Sequence, residues 1–275
     1  MAVELAQLID YFEELWPLAG AESWDAPGLV VGSPRKRVSR VLLSVDVTSE
    51  IISEAIDGEF DVVFAHHPFL LKGITSASEV SAKGSTLAKA IRSDISIYAA
   101  HTNADIVENG VSHVLAESLG IQNAVALEGS GQGQVVQGHG RFGDLVSPIK
   151  LGDFARLIAR ILPSTATGVR VSGDFEQPVQ KIAVCGGAGD SFIQAAVSAG
   201  ADVYVTSDLR HHPTQDAREH AFLHDGKPAL IDISHWAGEW LWLQIASEQL
   251  AKKFPNVQFV VSQIRTDPWD FVVTQ

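Results

Sequence analysis

The chain has 275 residues, of which 46% are hydrophobic and 19% charged, a composition typical of a globular protein with one large or two modest domains. Its formal net charge of −13 disfavours a nucleic-acid-binding role, because phosphate binding requires clusters of Lys and Arg. The single cysteine, Cys185, excludes an intrachain disulfide and a thiolate-rich metal site, and indicates a reducing, cytoplasmic location. No signal-peptide pattern and no apolar run of membrane-spanning length is present, so we expect no contact with a membrane.

Strands and helices are predicted to alternate through the first half of the chain. In chain order they are a helix over 3–16, a loop entering a short strand over 24–32, a strand over 38–45, a helix over 49–57 capped by Ser49, a strand over 61–65, a helix over 84–92, a strand over 95–100 and a helix over 109–119. This alternation is typical of an α/β fold whose sheets are mostly parallel and covered on both faces.

The second half begins after Gly-Ser-Gly-Gln-Gly at 129–133, which is predicted to be a linker. Its predicted elements are a starting segment over 138–145, a helix over 151–162, strands over 169–172 and 182–185, a helix over 190–200, strands over 202–206 and 230–234, a Trp-rich helix through Trp236, Trp240 and Ile245, and a strand over 257–262. We therefore predict two similar α/β lobes, 1–128 and 129–275, with the C-terminal segment contributing to a shared cleft.

An internal repeat carries the strongest functional signal. The segments 61–65 and 202–206 align at an offset of 141, and each continues into polar residues. The pairs His101 with Asp105 and His235 with Glu239 align at an offset of 134, and each histidine follows a predicted strand. Because ligands of open α/β sheets bind at the carboxyl ends of the strands, these residues predict a site there.

Each candidate metal ligand also has a structural interpretation. His66 and His67 are adjacent and point to opposite sides of an extended backbone, so they would hold different ions of a close pair; otherwise they are two loop histidines. His235 and Glu239 lie one helical turn apart and suit an ion with mixed nitrogen and oxygen ligands, or form a structural hydrogen bond. Asp105 is the weakest candidate, since it also suits a turn or a helix start.

Together these residues predict a site for two divalent metal ions, with Zn, Fe or Mn favoured. Three imidazoles and two carboxylates suffice for such a pair, and Glu239 is best suited to bridge it. The predicted ligands are His66, His67, Asp105, His235 and Glu239.

Two further segments are polar or glycine-rich. Asp208 and His212, beside His211-His212-Pro213, suit a general acid or base or a residue that orients a ligand, or else a polar turn. The stretch 185–190 lacks the dinucleotide and phosphate-loop patterns, and it favours a tight substrate-facing turn over a nucleotide-binding loop. Cys185 within it is expected to be a small buried residue.

The chain resembles the Nif-three-like family, whose members are often named GTP cyclohydrolase 1 type 2 homologues, over nearly its whole length. The resemblance rests on Trp24-Asp25 with Gly28-Leu29 and Gly32, Ala65-His66-His67-Pro68, His101-Thr102-Asn103 with Asp105 and Gly110-Val111, Gly140-Arg141-Phe142-Gly143, Gly186-Gly187-Ala188-Gly189-Asp190, Asp208 with His212, and Ser234-His235 with Glu239. It implies the Nif-three-like fold, the same five ligands in a cleft between lobes, a toroidal homohexamer, and catalytic roles near the metals for His101 and His212.

Two functions follow from these expectations. The first is a metal-dependent hydrolase of a small molecule, with a cyclohydrolase as the reaction that the family name suggests. The second is a non-catalytic metal-binding hexamer or protein-interaction module, which a large exposed apolar patch would favour.

Overall fold

The computed structural model describes residues 2–129 and 137–274, and within them the chain has a mixed α/β fold. The strands are β1 (Val3–Glu4), β2 (Gly28–Val31), β3 (Arg37–Val38), β4 (Arg40–Ser44), β5 (Val62–Ala65), β6 (Ser96–Ala99), β7 (Gln122–Glu128), β8 (His139–Lys150), β9 (Arg170–Ser172), β10 (Pro178–Ala188), β11 (Val203–Ser207), β12 (Ala229–Ile233) and β13 (Gln258–Val261). The α-helices are α1 (Leu5–Leu15), α2 (Ser49–Asp57), α3 (Ala82–Arg92), α4 (Thr102–Asp105), α5 (Val111–Ser118), α6 (Leu151–Ile161), α7 (Ile193–Ser198), α8 (His211–Leu223) and α9 (His235–Lys253).

The chain divides into two units whose bounds differ from the predicted halves. The first unit comprises Met1–Ala104 and Leu243–Thr266, and the second comprises Asp105–Trp242 and Asp267–Gln275. Strand pairing explains the difference from 1–128 and 129–275, because β7 pairs with β8 and β13 pairs with β4. Most of the predicted linker lies outside the described residues.

The first unit is built on a five-stranded sheet in the order β13-β4-β5-β6-β2. Four strands are parallel, and β2 pairs antiparallel with β6. The central strands are buried along almost their whole length, which explains their continuous apolar sequences. Helix α2 packs its buried Ile51 and Ile52 into the same core as Leu42 and Val63. The cap of α2 is the Thr48 side chain, which accepts a hydrogen bond from the Ile51 amide, and the prediction of Ser49 is wrong.

The second unit contains a six-stranded sheet in the order β7-β8-β10-β11-β12-β9. Only the pairs β10–β11 and β11–β12 are parallel, so the expectation of mostly parallel sheets is wrong for this unit. The reason is the 12-residue β8, which runs antiparallel to both of its neighbours. Strand β10 continues through Gly186 and Gly187 to Ala188, with a register irregularity after Val184, where a turn was predicted.

The predicted repeat has a structural counterpart in how the parallel strands begin. Asp61 accepts hydrogen bonds from the Ser39 and Arg40 amides at 2.7 and 3.0 Å. Asp202 accepts them from the Gln180 and Lys181 amides at 2.8 and 2.9 Å. All three positions of each set are related by the offset of 141. Each aspartate therefore ties the start of one parallel strand to the start of the next.

Strand β7 and helix α8 are among the elements that were not predicted. Strand β7 lies at the edge of its sheet, and its residues are exposed or half-buried, so it has little apolar pattern. Helix α8 buries only Ala217 and Ala221 and begins with His211-His212-Pro213; proline is tolerated there because the first amides of a helix lack an intrahelical partner. No helix in the described part of the chain has the length and hydropathy needed to cross a bilayer.

We predict that Asp202→Ala lowers the free energy of unfolding by about 1–3 kcal/mol at pH 7, because two partly buried backbone amides lose their acceptor. Burial raises the pKa of Asp202, but hydrogen bonds from Lys227 and from the Lys181 and Gln180 amides outweigh it and lower that pKa below its usual range. The unfolded chain therefore takes up the proton first, and the deficit of the variant should shrink as the pH falls below about 4. Denaturant titrations at several pH values measure this.

Asp216→Ala is the matched control, since Asp216 is exposed on α8 in the same unit. An equal loss of stability in the two variants would contradict the anchoring role of Asp202.

Candidate metal centre

Three histidines lie together at one edge of the first sheet. His66 and His67 directly follow β5. His101 is the second residue after the neighbouring parallel strand β6. One ligand nitrogen of each ring lies within 4.8 Å of those of the other two, which makes them a group able to hold a metal ion. His66 is fully buried, and His67 and His101 are half-buried.

Each of these rings has an oxygen partner at Nδ1. His66 Nδ1 lies 2.9 Å from the Ala100 carbonyl oxygen, His67 Nδ1 2.7 Å from Asp46 Oδ1, and His101 Nδ1 2.8 Å from Asp25 Oδ1. A neutral ring that donates from Nδ1 carries its lone pair on Nε2, the form that binds metals. His66 therefore contacts the segment after β6, and His67 contacts the segment after β4, on the other side of β5. Adjacent residues are expected to point to opposite sides in this way.

Asp25 is the most strongly held of these partners. Its side chain is inaccessible to solvent and accepts hydrogen bonds from His101, the Thr102 hydroxyl and the Thr102 and Ala26 amides. Burial raises its pKa, but these hydrogen bonds and the His101 charge outweigh burial and hold the pKa far below its usual range. Asp25 therefore remains ionised and fixes the His101 ring, against whose edge Trp24 packs with ring centroids 5.9 Å apart.

Sequence reasoning assigned no role to Asp25 or to Asp46. The signal for Asp46 was present, because it lies two residues beyond β4 and so at the same strand ends as the histidines. Asp25 precedes β2 and is distant in sequence from His101, so only the fold reveals its role.

In the second unit, His235 and Glu239 form the predicted pair one turn apart on α9. His235 is the first residue of the helix and follows β12. Its Nε2 lies 3.0 Å from Glu239 Oε1, and its Nδ1 lies 2.8 Å from Asp208 Oδ2. Asp208 follows β11, the strand parallel to β12. Its hydrogen bond orients the His235 ring, which is one of the roles predicted for Asp208.

The neighbouring carboxylates favour a protonated His235 ring. Burial lowers the pKa of His235, but the charges of Glu239 and Asp208 and their hydrogen bonds outweigh it and raise the pKa to about 11. The ring is therefore protonated at neutral pH, between two carboxylates. A divalent cation bound by His235 would replace this proton and meet the same negative charge.

Gly187 in β10 has no side chain, and this leaves space for the Glu239 carboxylate. A Cβ atom at this position would lie 2.7 Å from Glu239 Oε1 and 3.6 Å from His235 Nε2, and the backbone has φ of +71°. The hydroxyls of Thr206 and Ser207 donate to the Gly187 carbonyl at 3.1 and 2.8 Å, which holds the strand in this position. A side chain at this position would therefore displace the Glu239 carboxylate from where it lies.

The remaining predicted residues are placed as follows. Asp105 ends α4, and its negative charge acts on buried Cys185 and Arg141, so its carboxylate lies near both of them. Burial raises the pKa of Cys185 to about 12, and this cysteine is buried as expected.

His212 is exposed in the first turn of α8, where its ring packs on His211 with centroids 5.2 Å apart. Its catalytic role stays a prediction, as does that of His101.

The family of the chain is decided by comparison with known proteins. The family model described as Duf34/NIF3 (NGG1p interacting factor 3) matches residues 3–268. The chain belongs to the Duf34/NIF3 family. Its resemblance to the Nif-three-like proteins is thereby confirmed. A relative from Streptomyces coelicolor named GTP cyclohydrolase 1 type 2 homolog is 40% identical, over 96% of this chain and 93% of its own length.

Solved structures of Duf34/NIF3 relatives share the fold. A Bacillus cereus protein related to NIF3 has a TM-score of 0.89 and 27% identity, covering 99% of this chain and 100% of its own. A hypothetical protein of Staphylococcus aureus also has a TM-score of 0.89, with 29% identity, covering 98% of this chain and 99% of its own. The predicted α/β fold class agrees with these structures.

We predict that Glu239→Gln lowers the pKa of His235 in the metal-stripped protein, because it removes the neighbouring negative charge that contributes most to raising it. Imidazole resonances followed by NMR across pH 6–11 measure the change. Asp216→Asn, which removes an exposed carboxylate of α8, should leave the titration of His235 as it is in the unmodified chain. Titration of His235 near its usual value before any substitution would contradict the described pairing.

Proposed function

We propose that this protein binds two divalent metal ions and hydrolyses a small molecule. The observation that carries the proposal is the Nδ1 partner of every candidate imidazole: a carbonyl for His66, and carboxylates for His67 and His235. Metal-binding histidines characteristically have such partners, which set the tautomer and orient the ring. The donor set, made of imidazoles and carboxylates, fits a divalent ion.

The proposed ligands are drawn from both units. His66 and His67 supply imidazoles from the first unit, and Asp105, His235 and Glu239 supply the remaining donors from the second. Mixed nitrogen and oxygen donors favour Zn, Fe or Mn over the oxygen-only ions Mg and Ca. Glu239 is proposed to serve both ions, because its two oxygens are held at a buried position one turn from His235.

The proposed chemistry is hydrolysis. Divalent ions in such sites lower the pKa of water and polarise the bond that is attacked. His101, fixed by Asp25, is suited to move a proton at Nε2, and His212 is proposed as a second proton carrier. The name of the Streptomyces coelicolor relative makes a nucleotide or another nitrogen heterocycle the first substrate class to examine.

A second candidate function is a metal-binding assembly without catalysis. It is favoured by the C-terminal segment, where four apolar side chains are between 58% and 80% exposed: Trp269, Phe271, Val272 and Val273. Exposed apolar residues in sequence are typical of surfaces that meet another protein chain.

We also propose a toroidal homohexamer, from the family resemblance and this exposed apolar segment, and a cytoplasmic location, from the single cysteine. Light scattering at micromolar concentration should give six times the mass of the 29.5 kDa chain. Truncation after residue 267 removes the exposed apolar side chains and should weaken the assembly. A monomeric mass for the untruncated 275-residue chain would contradict the proposal.

We predict that two equivalents of metal copurify with the chain and that His67→Ala with His235→Ala removes at least one. Each substitution deletes one proposed ligand from a different unit. Elemental analysis of protein purified without added metal or chelator measures the loss. The matched control is His220→Ala with His224→Ala, two histidines stacked on each other at 3.9 Å on and just after α8. Two equivalents at unchanged affinity in the first double variant would refute the ligand assignment.

A turnover screen separates the two functions. Metal-loaded protein is tested on nucleotides and related heterocycles, with the His67→Ala, His235→Ala double variant as the background. Hydrolysis by the parent alone supports the enzyme, whereas metal binding without turnover of any substrate supports the assembly.

A further inference from the structure

Arg141 is a fully buried cation on β8. Only 1% of it is exposed to solvent, and its guanidinium donates to four backbone carbonyls. Nη1 donates to Gly138 and Gly140 at 2.6 and 2.7 Å, and Nη2 donates to Ile106 and Val107 at 3.2 and 2.7 Å. The guanidinium therefore connects the start of β8 to a segment more than 30 residues earlier in the chain.

The charge of this side chain makes its burial costly. Burial lowers the pKa of Arg141 to about 10, while the negative charges of Asp105 and Glu108 act to raise it, so the group remains protonated at neutral pH. Its hydrogen bonds in the described structure all end on carbonyls, which carry only partial charges. A buried cation with such partners is expected where a particular backbone geometry has to be held.

The backbone that it holds is the segment directly after Asp105. Helix α4 ends at Asp105 and α5 begins at Val111, so the intervening residues have no helical hydrogen-bond ladder of their own. Asn109 in this segment has φ of +58°, a conformation unfavourable for residues with a side chain. The Gly138 amide also donates to the Ile106 carbonyl, at 2.9 Å, which reinforces the same connection.

We propose that Arg141 is a positioning residue for Asp105. Arg141 fixes the backbone at Ile106 and Val107, and this sets where the Asp105 carboxylate meets the metal. This inference rests on the proposed function, in which Asp105 is a ligand. Arginine is required because its planar fork reaches both pairs of carbonyls at once, whereas the single ammonium of lysine cannot.

The test is a double-mutant cycle between Arg141→Lys and Asp105→Asn, read as the dissociation constant for Zn²⁺ by competition with a chelator. Arg141→Lys should weaken one equivalent of Zn²⁺ by about 10- to 100-fold, the usual effect of losing a group that orients a ligand. In the Asp105→Asn background the same substitution should have no further effect on Zn²⁺. A merely structural arginine would weaken binding in both backgrounds.

Two controls accompany the cycle. Arg170→Lys makes the same substitution on β9 of the same unit, where the arginine is exposed and pairs with Asp232, and it should leave Zn²⁺ binding unchanged. Asp202→Ala lowers the stability of the same unit and should also leave Zn²⁺ binding unchanged.

The outcomes separate this inference from the proposed function. Unchanged Zn²⁺ affinity in Arg141→Lys, or equal losses in both backgrounds, overturns the positioning role while Asp105 remains a ligand. Unchanged affinity in Asp105→Asn overturns the ligand assignment itself. If Arg141→Lys does not fold, Arg141→Gln, which retains a planar donor, takes its place; failure of both to fold makes Arg141 a general stability residue and overturns the proposal.

Discussion

The buried parallel strands at the centre of each sheet constrain the rest of the structure. Parallel strands end at a common edge, so whatever follows β4, β5 and β6, or β10, β11 and β12, is delivered to one place. The first unit delivers Asp46, His66, His67 and His101 in this way, and the second delivers Asp208 and His235. The opposite ends are tied by equivalent aspartates. The chemistry is therefore located by the same register that forms the core.

This constraint also explains how the rings are oriented. A residue one or two positions beyond a strand lies beside its counterpart from the neighbouring strand, within hydrogen-bonding distance. His67 finds Asp46 beyond β4, and His235 finds Asp208 beyond β11. These two histidines and the carboxylates that orient them follow adjacent strands, so their orientation needs little contribution from long loops. Asp25 reaches His101 from a segment outside this arrangement.

The residues that the sequence could reveal are those governed by local pattern. The repeat at offset 141, the one-turn spacing of His235 and Glu239 and the buried strands all depend on neighbours along the chain, and the structure contains them. Long-range pairing was not predictable in the same way. The antiparallel β8 carries no local mark of its direction, and β7 is too exposed to show a strand pattern. The fork of Arg141 depends on carbonyls, which every residue possesses.

The approach of β10 to Glu239 has a consequence for how the protein can vary. Any replacement at Gly187 adds at least one carbon atom, and that atom would fall 2.7 Å from a carboxylate oxygen that the proposed site requires. The positive φ adds a backbone penalty to the same change. Every substitution at this position therefore displaces Glu239 or strains the backbone, although Gly187 supplies no functional group. In a screen of random variants, substitutions at Gly187 would therefore impair the site even though this residue has no side chain that takes part in it.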